Sequence, residues 1–277
     1  MHLINRGLNI LWALIFVMII CTVLYADTHN NRIVQTKEEN SDNNKTESSG
    51  EIKEDGKLTF DDIRGMRAGD ILDMEDADDD LIDSLFFKEE IGDEVMSRIM
   101  GISYKENNNI SLGELNYIRV LHVGFDDMVH IGELIVNKAI ADDIIDIMKI
   151  LYNNKYPIEK MLLVDEYGGD DITSMSDNNT SAFNYRLIAN TDMLSNHAMG
   201  MAIDINPLYN PYVTADKEGN INISPENGSG YADRTKDFMY KIDEFDLCYK
   251  LFISYGFSWG GSWSRSKDYQ HFEKTIN

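Results

Sequence analysis

Hydrophobic and polar positions divide the chain into three stretches. Residues 8–24 (LNILWALIFVMIICTVL) are an almost unbroken apolar run, and residues 27–57 are polar with almost no apolar periodicity. Beyond them, apolar positions recur at structured spacings. Residues 115–123, within GELNYIRVLHVGF, and residues 131–136 (IGELIV) read as strands, and residues 161–164 (MLLV) as a buried strand. After Asn137, a candidate cap, Ile140, Ile144, Ile147, Met148 and Leu151 form one stripe of a helix. A long polar loop is expected over 165–194. In SNHAMGMAIDINP, Ile203 and Ile205 alternate with Ala202, Asp204 and Asn206, a strand pattern of period two. Phe238, Ile242, Phe245, Tyr249 and Phe252 recur at steps of 4, 3, 4 and 3, which predicts a helix ended by Gly256. Short strands are expected at 257–259 and 271–273. Strands and helices intermix without a βαβ rhythm, so the spacing predicts one compact α+β domain over 86–277, with a small antiparallel sheet and packed helices.

The N-terminal run follows Arg6, with no acid before Asp27, which is the grammar of an export signal. At about 1.5 Å per residue it is also long enough to cross a bilayer. Ala26 suits a cleavage site but Leu24 is bulky for one, and Ile20 before Cys21 argues against a lipoprotein signal. Residues 1–26 are therefore expected to be a signal peptide or membrane anchor, and the protein to act outside the cytoplasm, anchored in the membrane or secreted to the cell wall. Residues 27–85 are expected to be a flexible acidic linker. Within it, DILDMEDADDDLID carries eight acids and no base, without the spacing or glycine of a calcium-binding EF-hand loop.

Acids outnumber bases 48 to 25, for a net charge of −23, and no basic stripe offsets them, so no nucleic-acid partner is expected. The two cysteines are Cys21 and Cys248. Cys21 lies in the apolar run, so the rest of the chain closes no internal disulfide and offers no cysteine-rich zinc site. A metal would have to be held by His, Asp or Glu.

Of six histidines, His122 and His130 lack acidic spacing that suggests ligands. His197 and His271 differ. Asp204 points away from the isoleucine face of its strand, and Gly200 allows a bend that brings His197 towards it. Asp268 precedes His271 by three residues, so the chain must turn between them if they act together. Two imidazoles and one carboxylate can make a three-ligand zinc site with an open position, and a further carboxylate can take a proton. The alternative is a pair of satisfied histidines near a buried aspartate.

Ser195, His197, Gly200, Ala202 and Asp204 fit an S-x-H-x-x-G-x-A-x-D motif, and Asp268, His271, Phe272 and Glu273 fit D-x-x-H-F-E. With the W-G-G-x-W run from Trp259 to Trp263 and NTSAFNYR ending at Arg186, they resemble the zinc D-alanyl-D-alanine carboxypeptidases and L-alanyl-D-glutamate endopeptidases, the VanY-like peptidoglycan peptidases, over about residues 89–273. The resemblance implies a hedgehog/DD-peptidase-like fold, a Zn2+ cofactor held by His197, Asp204 and His271, and Asp268 as general base where several relatives have Glu. It implies that Arg186 hydrogen-bonds the scissile carbonyl or a substrate carboxylate. Ser195 would touch substrate or orient His197, unless it only caps its turn. Glu273 would orient a ligand, and Arg234 is read as part of a structural ion pair. The implied partners are peptidoglycan stem peptides, cut by a protein expected to be monomeric and, if uncleaved, held to the membrane by its N-terminal segment. The implied activity is carboxypeptidase first, with stem endopeptidase or a non-catalytic zinc-containing wall-binding module as alternatives.

Overall fold

The computed structural model describes residues 59–75, 77–188 and 191–275. The signal or anchor expected at 1–26 and the first part of the linker lie outside the described residues. Among the described residues no helix is long and apolar enough to cross a membrane.

Three antiparallel sheets organise this part. The largest has the order β1 (Ile71–Leu72), β4 (Val129–Asn137), β3 (Leu115–Val123) and β2 (Phe87–Glu90). β3 and β4 pair along their whole length, from Leu115 opposite Asn137 to Val123 opposite Val129. Both are largely buried on two faces, which is why they read as near-continuous apolar runs rather than clean alternation. Ile118 and Val120 join a core with the stripe of helix Ala141–Asn153, while Leu115 and Tyr117 join a second cluster with Val95, Ile99 and Phe183. The helix begins after Ile140, and Asn137 accepts from the Ala139 N–H at 3.0 Å, so the chain makes one more turn than its sequence suggests.

The second sheet has the order β5 (Ala202–Asp204), β10 (His271–Glu273) and β8 (Ser258–Trp259). Its central residue, Phe272, is fully buried and stacks on Phe252 at 4.3 Å between ring centroids. Strand alternation then sends His271 and Glu273 to the opposite face. The third sheet joins β7 (Ile221–Ser224), β6 (Tyr212–Ala215) and β9 (Lys267–Asp268).

Three expectations are corrected. The linker does not extend to residue 85, because helices Phe60–Arg64 and Asp79–Ser84 and strand β1 are packed elements. Ile63, Leu72 and Leu85 are core residues, and the described acids between them stay at or near the surface or cap, as Asp78 does for the Leu81 N–H. Isolated apolar residues among so many acids carry little periodicity, yet each reaches the core. Residues 161–164 form no strand, and Leu162 is tied instead to the Asn179 side chain through both its N–H and its carbonyl. The late helix is short, Leu247–Ser254, because Asp246 caps it and Tyr240 takes a left-handed φ of 65° that interrupts helix. Phe238 and Phe245 therefore lie outside it.

Candidate active site

His197 sits in a tight 3-10 turn, Asn196–Met199, which Ser195 caps by accepting the His197 N–H on Oγ at 3.3 Å. Gly200 ends the turn at φ 64°, and an alanine Cβ there would lie 2.6 Å from the backbone nitrogen of Asn137. Only glycine lets this turn press against the end of β4, where the Asn137 N–H donates to the Gly200 carbonyl at 2.8 Å. The chain then enters β5 with Ile203 and Ile205 in the core and Asp204 on the other face.

Asp204 is in register with His271 across the β5–β10 pair. His271 Nδ1 lies 3.0 Å from Asp204 Oδ1, and His197 Nε2 lies 3.3 Å from Asp204 Oδ2 and 3.2 Å from His271 Nδ1. One ligand atom from each residue lies within 4.8 Å of the others, and all three side chains are buried. The outer face of each ring is fixed. His197 Nδ1 donates to the Ala182 carbonyl at 2.5 Å, which turns the Nε2 lone pair inward. His271 Nε2 is held by Glu273 Oε2 at 3.0 Å, itself bonded by Asn196 Nδ2 at 2.5 Å. Such backing of both imidazoles suits metal ligation, and two nitrogens with one carboxylate form a donor set that fits zinc.

The field at this site is negative. Burial opposes ionisation of Asp204, but the two imidazoles outweigh it and hold the carboxyl well below its usual range. Burial also opposes charge on His271, yet its hydrogen bonds with Asp204 and Glu273 raise it to about 10. Carboxylates that favour a cationic imidazole this strongly would also attract a divalent cation.

Asp268 ends β9, opposite Tyr212 of β6, and the chain passes to another sheet before His271. Its Oδ1 accepts from Gln270 Nε2 at 3.1 Å. Burial and the adjacent negative charge of Asp204 push its carboxyl up to about 7, with His271 and Gln270 opposing. Gly260 makes the fit possible, since a Cβ there would lie 2.7 Å from the Asp268 Cβ and 3.2 Å from that of His271. Trp263 stands beside His271 at 5.3 Å between centroids, whereas Trp259 is core.

Arg186 is not drawn onto this cluster. Its Nε contacts the Asp171 carboxylate, and Nη1 makes only a 3.5 Å contact with the Leu187 carbonyl, so among the described residues the outer edge of the guanidinium faces no strong partner. The Ser195 hydroxyl is on its cap, and the residue is 5% exposed, which favours the capping role over substrate contact. Arg234 forms no ion pair among the described residues and donates instead to the carbonyls of Tyr209, Tyr231 and Ile242 and to Asn210 Oδ1. Asp171, Asn196, Gln270 and the Ala182 carbonyl are supporting groups that the sequence did not single out, since nothing in their local spacing marks them.

Residues 189–274 match the family model for D-alanyl-D-alanine carboxypeptidase. The family suspected from the motifs is supported. The matched stretch contains His197, Asp204, Asp268, His271 and Glu273, while Arg186 lies three residues before it. It supports a peptidase domain acting on peptidoglycan, and with it a place of action outside the cytoplasm. No curated protein and no solved structure matched the chain.

Proposed function

We propose that the chain is a zinc-dependent peptidase that hydrolyses an amide bond in peptidoglycan stem peptides, removing a terminal D-alanine. The observation that carries this reading is the convergence of His197, Asp204 and His271, with Asp268 alongside, inside the stretch that matches the carboxypeptidase family. His197 Nε2, His271 Nδ1 and an oxygen of Asp204 would hold the ion. Bound there, zinc supplies Lewis acidity and makes water acidic enough to attack near neutral pH.

The remaining work falls to the protein's own groups. Asp268 accepts the proton of the attacking water and passes it to the departing amine, and a carboxyl whose pKa lies near 7 suits both transfers. A cation held by Asp204 would draw that pKa down, favouring the ionised base. Asp171 anchors Arg186 through Nε, which leaves the Nη atoms to receive the substrate's terminal carboxylate as a planar fork. A free carboxylate is what separates the carboxypeptidase from the stem endopeptidase, and this supports the former.

Asp268→Asn tests the assignment. The variant should retain one zinc per chain and lose turnover by about 10²–10⁴-fold. Full turnover in the zinc-loaded variant would remove Asp268 from the chemistry. A wall-binding module without catalysis would show unchanged peptide affinity in this variant and no turnover in the wild type.

A further inference from the structure

The loop that precedes helix Leu247–Ser254 borders a recess. It is an open pocket of about 290 Å³, bordered by Arg234, Lys241, Glu244, Phe245, Trp259 and Tyr269. Phe245 is 83% exposed on its rim, yet its backbone is fastened on both sides. Its N–H donates to Asp243 Oδ1 at 2.9 Å, and its carbonyl accepts from Lys250 Nζ. The ring is thus presented to water from a fixed backbone at the edge of the pocket.

The loop is built at some cost. The Arg234 guanidinium is sandwiched between Phe238 and Tyr269, 5.0 and 4.3 Å from their ring centroids, with no carboxylate partner among the described residues. Fully buried Asn210 ties the loop together, donating to the Tyr240 carbonyl at 3.0 Å and accepting from the Ile242 N–H at 2.8 Å. Tyr240 is held at its positive φ and stacks on Phe125. A strained aromatic residue persists only where its surroundings over-determine it, and such residues gather at functional sites.

The lining selects the occupant. Lys241 faces Asp243 at 3.5 Å, and Arg234 and Glu244 add one further charge of each sign, so neither an anion nor a cation gains net attraction. Donors and acceptors beside aromatic faces suit a neutral, polyhydroxylated ring whose C–H face packs on Phe245 and Tyr269. The volume is near the lower end of small-molecule sites and suits one such ring. Tyr269 directly follows Asp268 in the chain, which links the recess to the catalytic strand. We propose that this recess is a saccharide subsite, which receives one sugar ring of the glycan strand that carries the stem peptide. The inference rests on the peptidoglycan reading and adds a preference for glycan-linked over free peptide.

The test has two arms on the full-length protein. In the first, a neutral disaccharide of two N-acetylglucosamine units, which carries the hydroxyl and acetamido groups of the glycan without a free carboxylate, is titrated by calorimetry. The wild type should bind it, Phe245→Ala should weaken binding by about 3- to 10-fold, and Phe245→Tyr should restore it. In the second, kcat/KM is compared for a disaccharide-linked stem and the same free peptide. The ratio should exceed one in the wild type and fall in Phe245→Ala. No disaccharide binding, or binding unaffected by Phe245→Ala, would overturn the subsite. Equal hydrolysis of both substrates without disaccharide binding overturns it while leaving the peptidase reading intact. Phe245-dependent binding with neither substrate hydrolysed supports the subsite while removing the peptidase reading.

Discussion

Substituting Gly260 by alanine isolates how tightly the candidate site is packed. The added Cβ would lie 2.7 Å from both the Cβ and the carbonyl oxygen of Asp268 and 3.2 Å from the Cβ of His271. These atoms belong to or adjoin the backbone, so no side-chain rotation relieves the contact. Ordinary contact begins at 3.4 Å, so Asp268 has to retreat by about 0.7 Å, carrying β9 with it. Overpacking of this kind costs about 1–3 kcal/mol of stability. If Asp268 is the general base proposed above, moving it by a large fraction of an ångström is expected to lower the rate by about 10- to 100-fold. The assay pairs kcat/KM on a D-alanine-terminated muropeptide with urea unfolding. Gly230→Ala, where a Cβ meets nothing within 4 Å, serves as the control and should change both by little. Wild-type rate and stability in Gly260→Ala would refute the claim that Gly260 holds Asp268 beside the cluster.

Three further outcomes are expected. Glu273→Gln weakens the backing of His271 Nε2 and should lower zinc affinity about 10- to 100-fold, measured by competition with a chelating dye; unchanged affinity would remove Glu273 from the site. Ile63→Ala should cost about 2–5 kcal/mol in urea unfolding, as for a core residue, whereas a change under about 0.5 kcal/mol would return residues 60–64 to the linker. Burial raises the Asp246 carboxyl to about 6, despite hydrogen bonds from the N–H groups of Cys248 and Tyr249 and the hydroxyl of Tyr156. A raised pKa favours the protonated folded state, so this contribution is fully present below about pH 4 and is lost as pH rises through 6, by roughly 3 kcal/mol. Asp246→Asn cannot ionise and should be more stable than the wild type at pH 8, with the gap narrowing at pH 4; a gap independent of pH would show that Asp246 does not titrate as described.

Much of this architecture was legible in local patterns. The boundaries of β3 match the expected strand, the stripe from Ile140 to Leu151 is buried throughout, and the alternation around Asp204 separates its core face from its site face. What stayed hidden depends on contacts distant in sequence. Ile63 and Leu72 are single apolar residues in acidic surroundings, and only their packing against the β3–β4 sheet and its helix reveals them as core. The run from Phe238 to Phe252 has helical spacing, but the Asp246 cap and the positive φ of Tyr240 stop the helix from starting early. At the site, residue types and order suggested the donors. The anchoring of Arg186 by Asp171 and the support of His197 by the Ala182 carbonyl required the fold.

The most direct test of the central claim is hydrolysis of defined muropeptides by the purified protein, with and without a zinc chelator, followed by mass spectrometry. The account predicts loss of a single terminal alanine from a pentapeptide stem, abolished by the chelator and restored by added zinc. Cleavage within the stem would contradict the carboxypeptidase reading. An absence of any product from folded, zinc-loaded protein would contradict the peptidase itself.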